Sequence, residues 1–111
     1  MKNITILGAG YVGMSLSVLL AQSNNVTVVD INQDRVNLIN NNQSTIKDDL
    51  IDQYLQKKDL TLSAVSSLDL LTSVPDIFII SAPTNYDPES DSFDVSIVEN
   101  IINNILNILF R

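Results

Sequence analysis

Residues 4–20 read ITILGAGYVGMSLSVLL, and the fold follows from this stretch. Asn3–Leu7 is short, apolar and β-branched, which predicts a strand over 3–7. Gly8, Gly10 and Gly13 then punctuate the chain. From Tyr11 onward the apolar residues recur at helical spacing, and Val12, Leu16, Leu19 and Leu20 are expected to face inward. Strand, glycine turn and helix therefore follow in order. The G-x-G-x-x-G pattern carries weight only in that context, and only with an acidic residue about 20 positions further on. Asp30 meets this last condition. It ends VTVVD (26–30), a second strand of the buried type.

Each part of the pattern has a physical task. Gly8 permits a tight turn, Gly10 lets a pyrophosphate approach the backbone, and Gly13 lets helix and strand pack closely. The helix N-terminus offers unpaired N–H groups and the positive end of a dipole. Asp30 can accept hydrogen bonds from ribose hydroxyls and repels a 2′-phosphate, so NAD is expected over NADP. Arg35 is expected in the first turn of the next helix, near the adenosine half. The competing reading of the glycines is a plain strand–helix turn without a ligand.

Further along, INQDRVNLINNN (31–42) suits a helix capped by Asn32 with Val36 and Ile39 inward. An Asn-rich loop (40–44) follows. Then IKDDLIDQYLQKK (46–58) places Leu50, Ile51, Tyr54 and Leu55 on one helical face. LTLSAV (60–65) alternates as a strand. Ser66 is expected to cap a short helix over 67–73, with Asp69 closing a capping box. DIFIISA (76–82) is a continuous apolar run, the mark of a strand buried on both faces. PTNYDPESDSFD (83–94) reads as a polar loop. VSIVENIINNILNILF (95–110) carries Ile97, Val98, Ile101, Ile102, Ile105 and Leu109 on one stripe of a final helix. Glu99, Asn100, Asn103, Asn104 and Asn107 occupy its other side.

The alternation of strands and helices predicts an α/β protein with a Rossmann-type, doubly wound parallel sheet. About four strands are present, so the sheet is expected to be incomplete. Ligands of such sheets sit outside the carboxyl ends of the strands, where strand order reverses. The first and fourth strands should flank that point, placing Ala82, Pro83 and Thr84 across the crevice from the glycines. The alternative for 81–87 is a polar loop held by turn chemistry. Asp87, Glu89, Asp91 and Asp94 match no calcium-loop spacing and read as a solvated loop, with Asp94 as a helix N-cap.

Composition narrows the function classes. The 111 residues suit one domain, and 45% are hydrophobic, enough for a core. Six Lys and Arg against thirteen Asp and Glu leave a net charge of −7, which argues against nucleic acid and anionic membranes. Any phosphate must therefore be held by local dipoles. Cys and His are both absent, which removes thiolate zinc sites, cysteine nucleophiles and the usual general base. The apolar start is too short for a signal peptide, and the expected location is cytoplasmic.

ITILGAGYVGMSLSVLLAQ, VVDINQDRVNLINN, DDLIDQYLQ and IISAPTNYDPESDSFDVSIVE together resemble the N-terminal, NAD-binding portion of the UDP-glucose/GDP-mannose dehydrogenase family. The likeness runs from Met1 to about Asn107. PTNYDP followed by FD points to the bacterial UDP-glucose 6-dehydrogenase branch over the GDP-mannose and UDP-N-acetylmannosamine branches. The resemblance implies oxidation of the C6 alcohol of UDP-glucose by two NAD through a thioester on a Cys. It places Gly10, Tyr11 and Val12 against the pyrophosphate, Asp30 on the ribose, Arg35 near the adenosine and Thr84 by the other half of the cofactor. The family's Cys and sugar-nucleotide domain are not found in residues 1–111. The expectation is thus a single, truncated dinucleotide-binding domain that holds NAD without turnover. Alternatives are a stand-alone NAD-binding or assembly module, a fragment of another nucleotide-sugar dehydrogenase, or a remnant that only folds. The apolar strand 77–81 is expected to become an exposed edge, prone to self-association or to pairing with a second polypeptide.

Overall fold

The computed structural model describes residues 1–57, 59–81, 85–87, 92–94 and 96–109. They form two compact units, Met1–Ser81 and Ala82–Arg111.

The first unit holds a four-stranded parallel sheet in the order β3-β2-β1-β4. Its strands are β1 (Asn3–Leu7), β2 (Asn25–Val29), β3 (Leu62–Val65) and β4 (Ile77–Ile80). Thr5 lies opposite Thr27 on one side and Phe78 on the other, and Thr27 opposite Ser63. Side chains alternate between faces, so Ile4, Ile6, Val26, Val28 and Ala64 share one face. They form the buried core with Met14, Val18, Ala21, Val36, Ile39, Ile51 and Leu55. These last residues come from α1 (Tyr11–Ala21), α2 (Gln33–Asn40) and α3 (Asp49–Lys57). α1 packs on β1, β2 and β3, α2 on β3, and α3 on α1. The chain steps outward from β1 to β2 to β3, and right-handed crossovers keep these helices on one face. It then returns past β1 to β4. The 66–76 crossover lies over the opposite face, where Thr5, Thr27, Ser63, Leu70, Leu71 and Thr72 line a pocket of about 120 Å³.

Several local expectations change. The buried stripe of α1 is Gly13, Met14, Ser17, Val18 and Ala21, while Val12 and Leu19 are exposed and Leu16 and Leu20 are only partly covered. The helix is apolar almost all round, so periodicity does not choose a face. The small residues Gly13, Ser17 and Ala21, one every four positions, let the helix lie close to the sheet. The buried Ser17 hydroxyl donates to the Gly13 carbonyl at 2.6 Å. In α3, Ile51 and Leu55 are buried and Tyr54 half-buried, but Leu50 faces solvent. That helix starts at Asp49, later than the periodicity suggests. Asp48 precedes it and accepts from the amides of Leu50 and Ile51.

In α2, Asn32 caps as expected and Val36 and Ile39 are buried. The helix stops at Asn40 because Asn42 turns left-handed (φ 58°), which returns the Gln43 amide to the Leu38 carbonyl at 2.8 Å. The short helix expected over 67–73 is a single 3-10 turn, Leu68–Leu70. Its cap is Ser67, not Ser66, and it accepts from the Asp69 amide. β4 is not buried on both faces: Phe78, Ile79 and Ile80 are half-buried and Ile77 is exposed. Its position at the edge of the sheet explains this.

In the second unit, the expected loop 83–94 contains two short antiparallel strands, β5 (Asn85–Asp87) and β6 (Ser92–Asp94), with Tyr86 opposite Phe93. Alternation of polar and apolar residues over three positions is too brief to read as a strand beforehand. α4 (Ser96–Leu109) buries Ile105, half-buries Val98 and Ile101, and exposes Ile102. Glu99, Asn100, Asn103, Asn104 and Asn107 are exposed, as the stripe requires. The side chains of Ile97 and Leu109 lie outside the described residues.

Candidate functional site

The carboxyl ends of β1, β2 and β4 meet at the glycine turn. The Gly8 amide donates to the Val29 carbonyl at 2.8 Å, continuing the β1–β2 ladder. Gly8 then takes φ +108°, which side-chain-bearing residues rarely adopt. A Cβ there would also lie 3.0 Å from the Ser81 carbonyl oxygen. Gly13 is required for another reason: its Cβ would run into the Gly8 carbonyl oxygen and come within 2.5 Å of Ser81 Oγ. At Gly10 none of the described residues lies within 4 Å of a built Cβ. The backbone there faces open space, and that is where a ligand can approach.

Gly10 is the N-cap of α1, and among the described residues no side chain caps that end. The first turn carries no acidic residue. Its amides and dipole thus present a positive end to the open space above Gly10. Tyr11 and Val12 begin the helix with exposed side chains at the rim.

Asp30 stands beside this turn and is only 8% exposed. Its Oδ2 accepts from the Ala9 amide at 2.8 Å and lies 3.3 Å from Arg35 Nη1. Its Oδ1 accepts from the Asn32 amide at 2.9 Å. Two backbone donors and a guanidinium offset the burial of this charge. One carboxylate thereby ties together the glycine turn, the cap of α2 and Arg35. The Arg35 side chain is 43% exposed, in the first turn of α2 as expected.

Three residues of this site were not picked out from the sequence. Ser81 Oγ lies 3.1 Å from the Leu7 and 3.0 Å from the Gly8 carbonyl oxygens, pinning the turn to the end of β4. Thr45, from the α2–α3 connection, donates its hydroxyl to the Ala9 carbonyl at 2.5 Å. Neither contact has a signal in the sequence, because partners 36 and 73 or 74 positions apart meet only in three dimensions. Ile31, directly after Asp30, is 95% exposed. Gly8, Gly10, Gly13, Asp30 and Arg35 are brought together, whereas Ala82, Pro83 and Thr84 lie outside the described residues. So do Glu89 and Asp91 and the side chains of Asp87 and Asp94.

The model of the UDP-glucose/GDP-mannose dehydrogenase family, NAD binding domain, matches residues 2–111. The chain belongs to this family. As a member it carries the family's NAD-binding domain, and the open, uncapped helix end beside Asp30 suits that cofactor. The UDP-glucose 6-dehydrogenase of Streptococcus pneumoniae is 50% identical over 98 residues, covering 86% of this chain and 24% of that protein. The UDP-glucose 6-dehydrogenase of Campylobacter jejuni is 35% identical over 107 residues, covering 95% of this chain and 27% of that protein. Among solved structures, a ternary complex of GDP-mannose dehydrogenase from Pseudomonas aeruginosa superposes with a TM-score of 0.81 at 26% identity. It covers 95% of this chain and 24% of that one. The chain thus spans about a quarter of the length of the relatives it matches.

Proposed function

We propose that this chain is the cofactor-binding portion of a UDP-glucose 6-dehydrogenase, an enzyme that oxidises UDP-glucose to UDP-glucuronate with NAD. In this reading the pyrophosphate lies over Gly8, Gly10, Tyr11, Val12 and Gly13 at the start of α1. The adenosine ribose hydroxyls donate to Asp30, and Arg35 and Ile31 flank the adenosine. Ala82, Pro83 and Thr84 are assigned to the other half of the cofactor on the sequence resemblance alone. The observation that carries the reading is the open space at Gly10 over an uncapped helix end, with a buried carboxylate held beside it. Identity to two UDP-glucose 6-dehydrogenases supports the choice of substrate.

NAD supplies hydride acceptance when bound; the residues of this chain bind and orient it. The family chemistry that the resemblance implies needs a cysteine, and this chain has none. Residues 1–111 alone are therefore expected to bind NAD without forming NADH from UDP-glucose. The β4 edge is proposed to pair with another strand, from a second polypeptide or a second copy. Among the described residues no helix is long and apolar enough to cross a membrane, and a cytoplasmic location is part of the proposal.

Calorimetric titration with NAD, followed by an NADH absorbance assay with UDP-glucose, tests this. Ile31→Ser should weaken NAD several-fold while leaving the melting temperature unchanged, because Ile31 is almost fully exposed. No heat of NAD binding in either protein would overturn the cofactor site. NADH formation by the chain alone would overturn the argument from the missing cysteine.

A further inference from the structure

We propose that Thr45 is a positioning residue for the cofactor, acting through the peptide between Ala9 and Gly10. The inference rests on the pyrophosphate reading of the glycine turn. The two peptide groups around Ala9 are each fixed by a side chain. The N–H of Ala9 is held by Asp30 Oδ2 at 2.8 Å, and its C=O by the Thr45 hydroxyl at 2.5 Å. A trans peptide is planar, with C=O and N–H pointing in opposite directions. Directing the Ala9 carbonyl toward Thr45 therefore directs the Gly10 N–H away from it. Gly10 sits at the start of α1, where among the described residues nothing lies within 4 Å of a built Cβ and no side chain caps the helix. Thr45 thus sets the direction in which the first donor of the cradle points, without touching the ligand.

The anchor is itself braced. Thr45 is half-buried. Ser44 Oγ accepts from the Ile46 amide at 3.1 Å, and Ile46 packs against the core. Upstream, the Asn40 side chain grips β3 with two hydrogen bonds to Ala64, at 2.9 and 3.0 Å. The α2–α3 connection is therefore held at both ends, and its one hydroxyl on the Ala9 carbonyl is a fixed strut. A preorganised donor binds more tightly than one that must be ordered by the ligand.

The test uses the full chain, labelled with ¹⁵N, as wild type, Thr45→Val and Thr45→Ser. Valine keeps the shape and removes the hydroxyl; serine keeps the hydroxyl. Losing one neutral hydrogen bond that orients a donor should weaken NAD about three- to tenfold in Thr45→Val. Thr45→Ser should stay within about twofold on the same scale. Adenosine, which has no pyrophosphate, should bind all three alike in an NMR titration. The Gly10 amide should show a lower ¹⁵N order parameter in Thr45→Val alone. Equal NAD affinity in wild type and Thr45→Val would overturn the inference while leaving the NAD site intact. Parallel weakening of NAD and adenosine would also overturn it, because it would mean general loosening. If wild type fails to bind NAD, the cofactor reading falls, and the Gly10 amide still decides the strut: an unchanged order parameter in Thr45→Val refutes it.

Discussion

Replacing Gly13 and Gly10 in turn by alanine separates a packing glycine from a binding glycine. At Gly13 the added methyl would overlap the Gly8 carbonyl oxygen, lie 2.5 Å from Ser81 Oγ and 2.9 Å from the Gly8 carbonyl carbon. Comfortable carbon contacts begin near ~3.5 Å. Ser81 Oγ can rotate away, but it then gives up its hydrogen bonding to the Leu7 and Gly8 carbonyls, roughly 1 kcal/mol. The Gly8 carbonyl has no such freedom. Its residue is fixed by the hydrogen bond from its N–H to the Val29 carbonyl, and the next by Asp30. Helix α1 must therefore lift from the sheet, at an overpacking cost of about 1–3 kcal/mol. The sum is about 2–4 kcal/mol, which lowers the melting temperature of a domain this size by roughly 10 °C or more. At Gly10 the methyl meets none of the described residues, and φ −77° suits alanine. Gly10→Ala should cost under about 1 kcal/mol as a poorer N-cap, yet weaken NAD at least tenfold by filling the cradle. Thermal melts followed by circular dichroism, with calorimetric NAD titrations, check both. A Gly13→Ala melt within about 2 °C of wild type, well short of the shift that cost implies, would refute the packing argument. Unchanged NAD affinity in Gly10→Ala would refute the binding one.

Three further outcomes follow from particular contacts. Asp30→Asn should weaken NAD about tenfold and leave NADP unchanged or tighter, since the carboxylate selects against a 2′-phosphate; parallel titrations of both cofactors read the ratio. Asn40→Ala strips the Ala64 amide and carbonyl of their side-chain partners and should lower stability by about 1–3 kcal/mol in urea melts. Ile77→Lys places a charge on the exposed β4 edge and should shift the chain toward monomer in light scattering; an unchanged mass distribution would move any self-association to another surface.

The strand–glycine–helix order, the helical cap at Asn32 and the acidic end of β2 were all legible in the sequence. Each depends on neighbours a few residues apart: glycine spacing, a side chain reaching two residues along the chain, β-branched runs. They sufficed for a Rossmann-type sheet and for five residues that the structure brings together, Gly8, Gly10, Gly13, Asp30 and Arg35. The misread helix faces, in α1 and α3, share one cause. α1 and α3 were oriented by hydrophobicity, yet Val12, Leu19 and Leu50 face solvent. A nearly all-apolar helix such as α1 leaves its buried face to be chosen by how closely it can approach the sheet.

Only the tertiary structure decided what surrounds the glycines. The sequence determined that the turn at 8–13 could meet a phosphate and that Asp30 would stand nearby, because backbone freedom and strand ends are local properties. It could not show that Asp30 already holds the Ala9 amide, that Ser81 pins Gly8, or that Thr45 grips the Ala9 carbonyl. Those contacts join distant parts of the chain, and only the crossovers of the sheet bring them within hydrogen-bond reach.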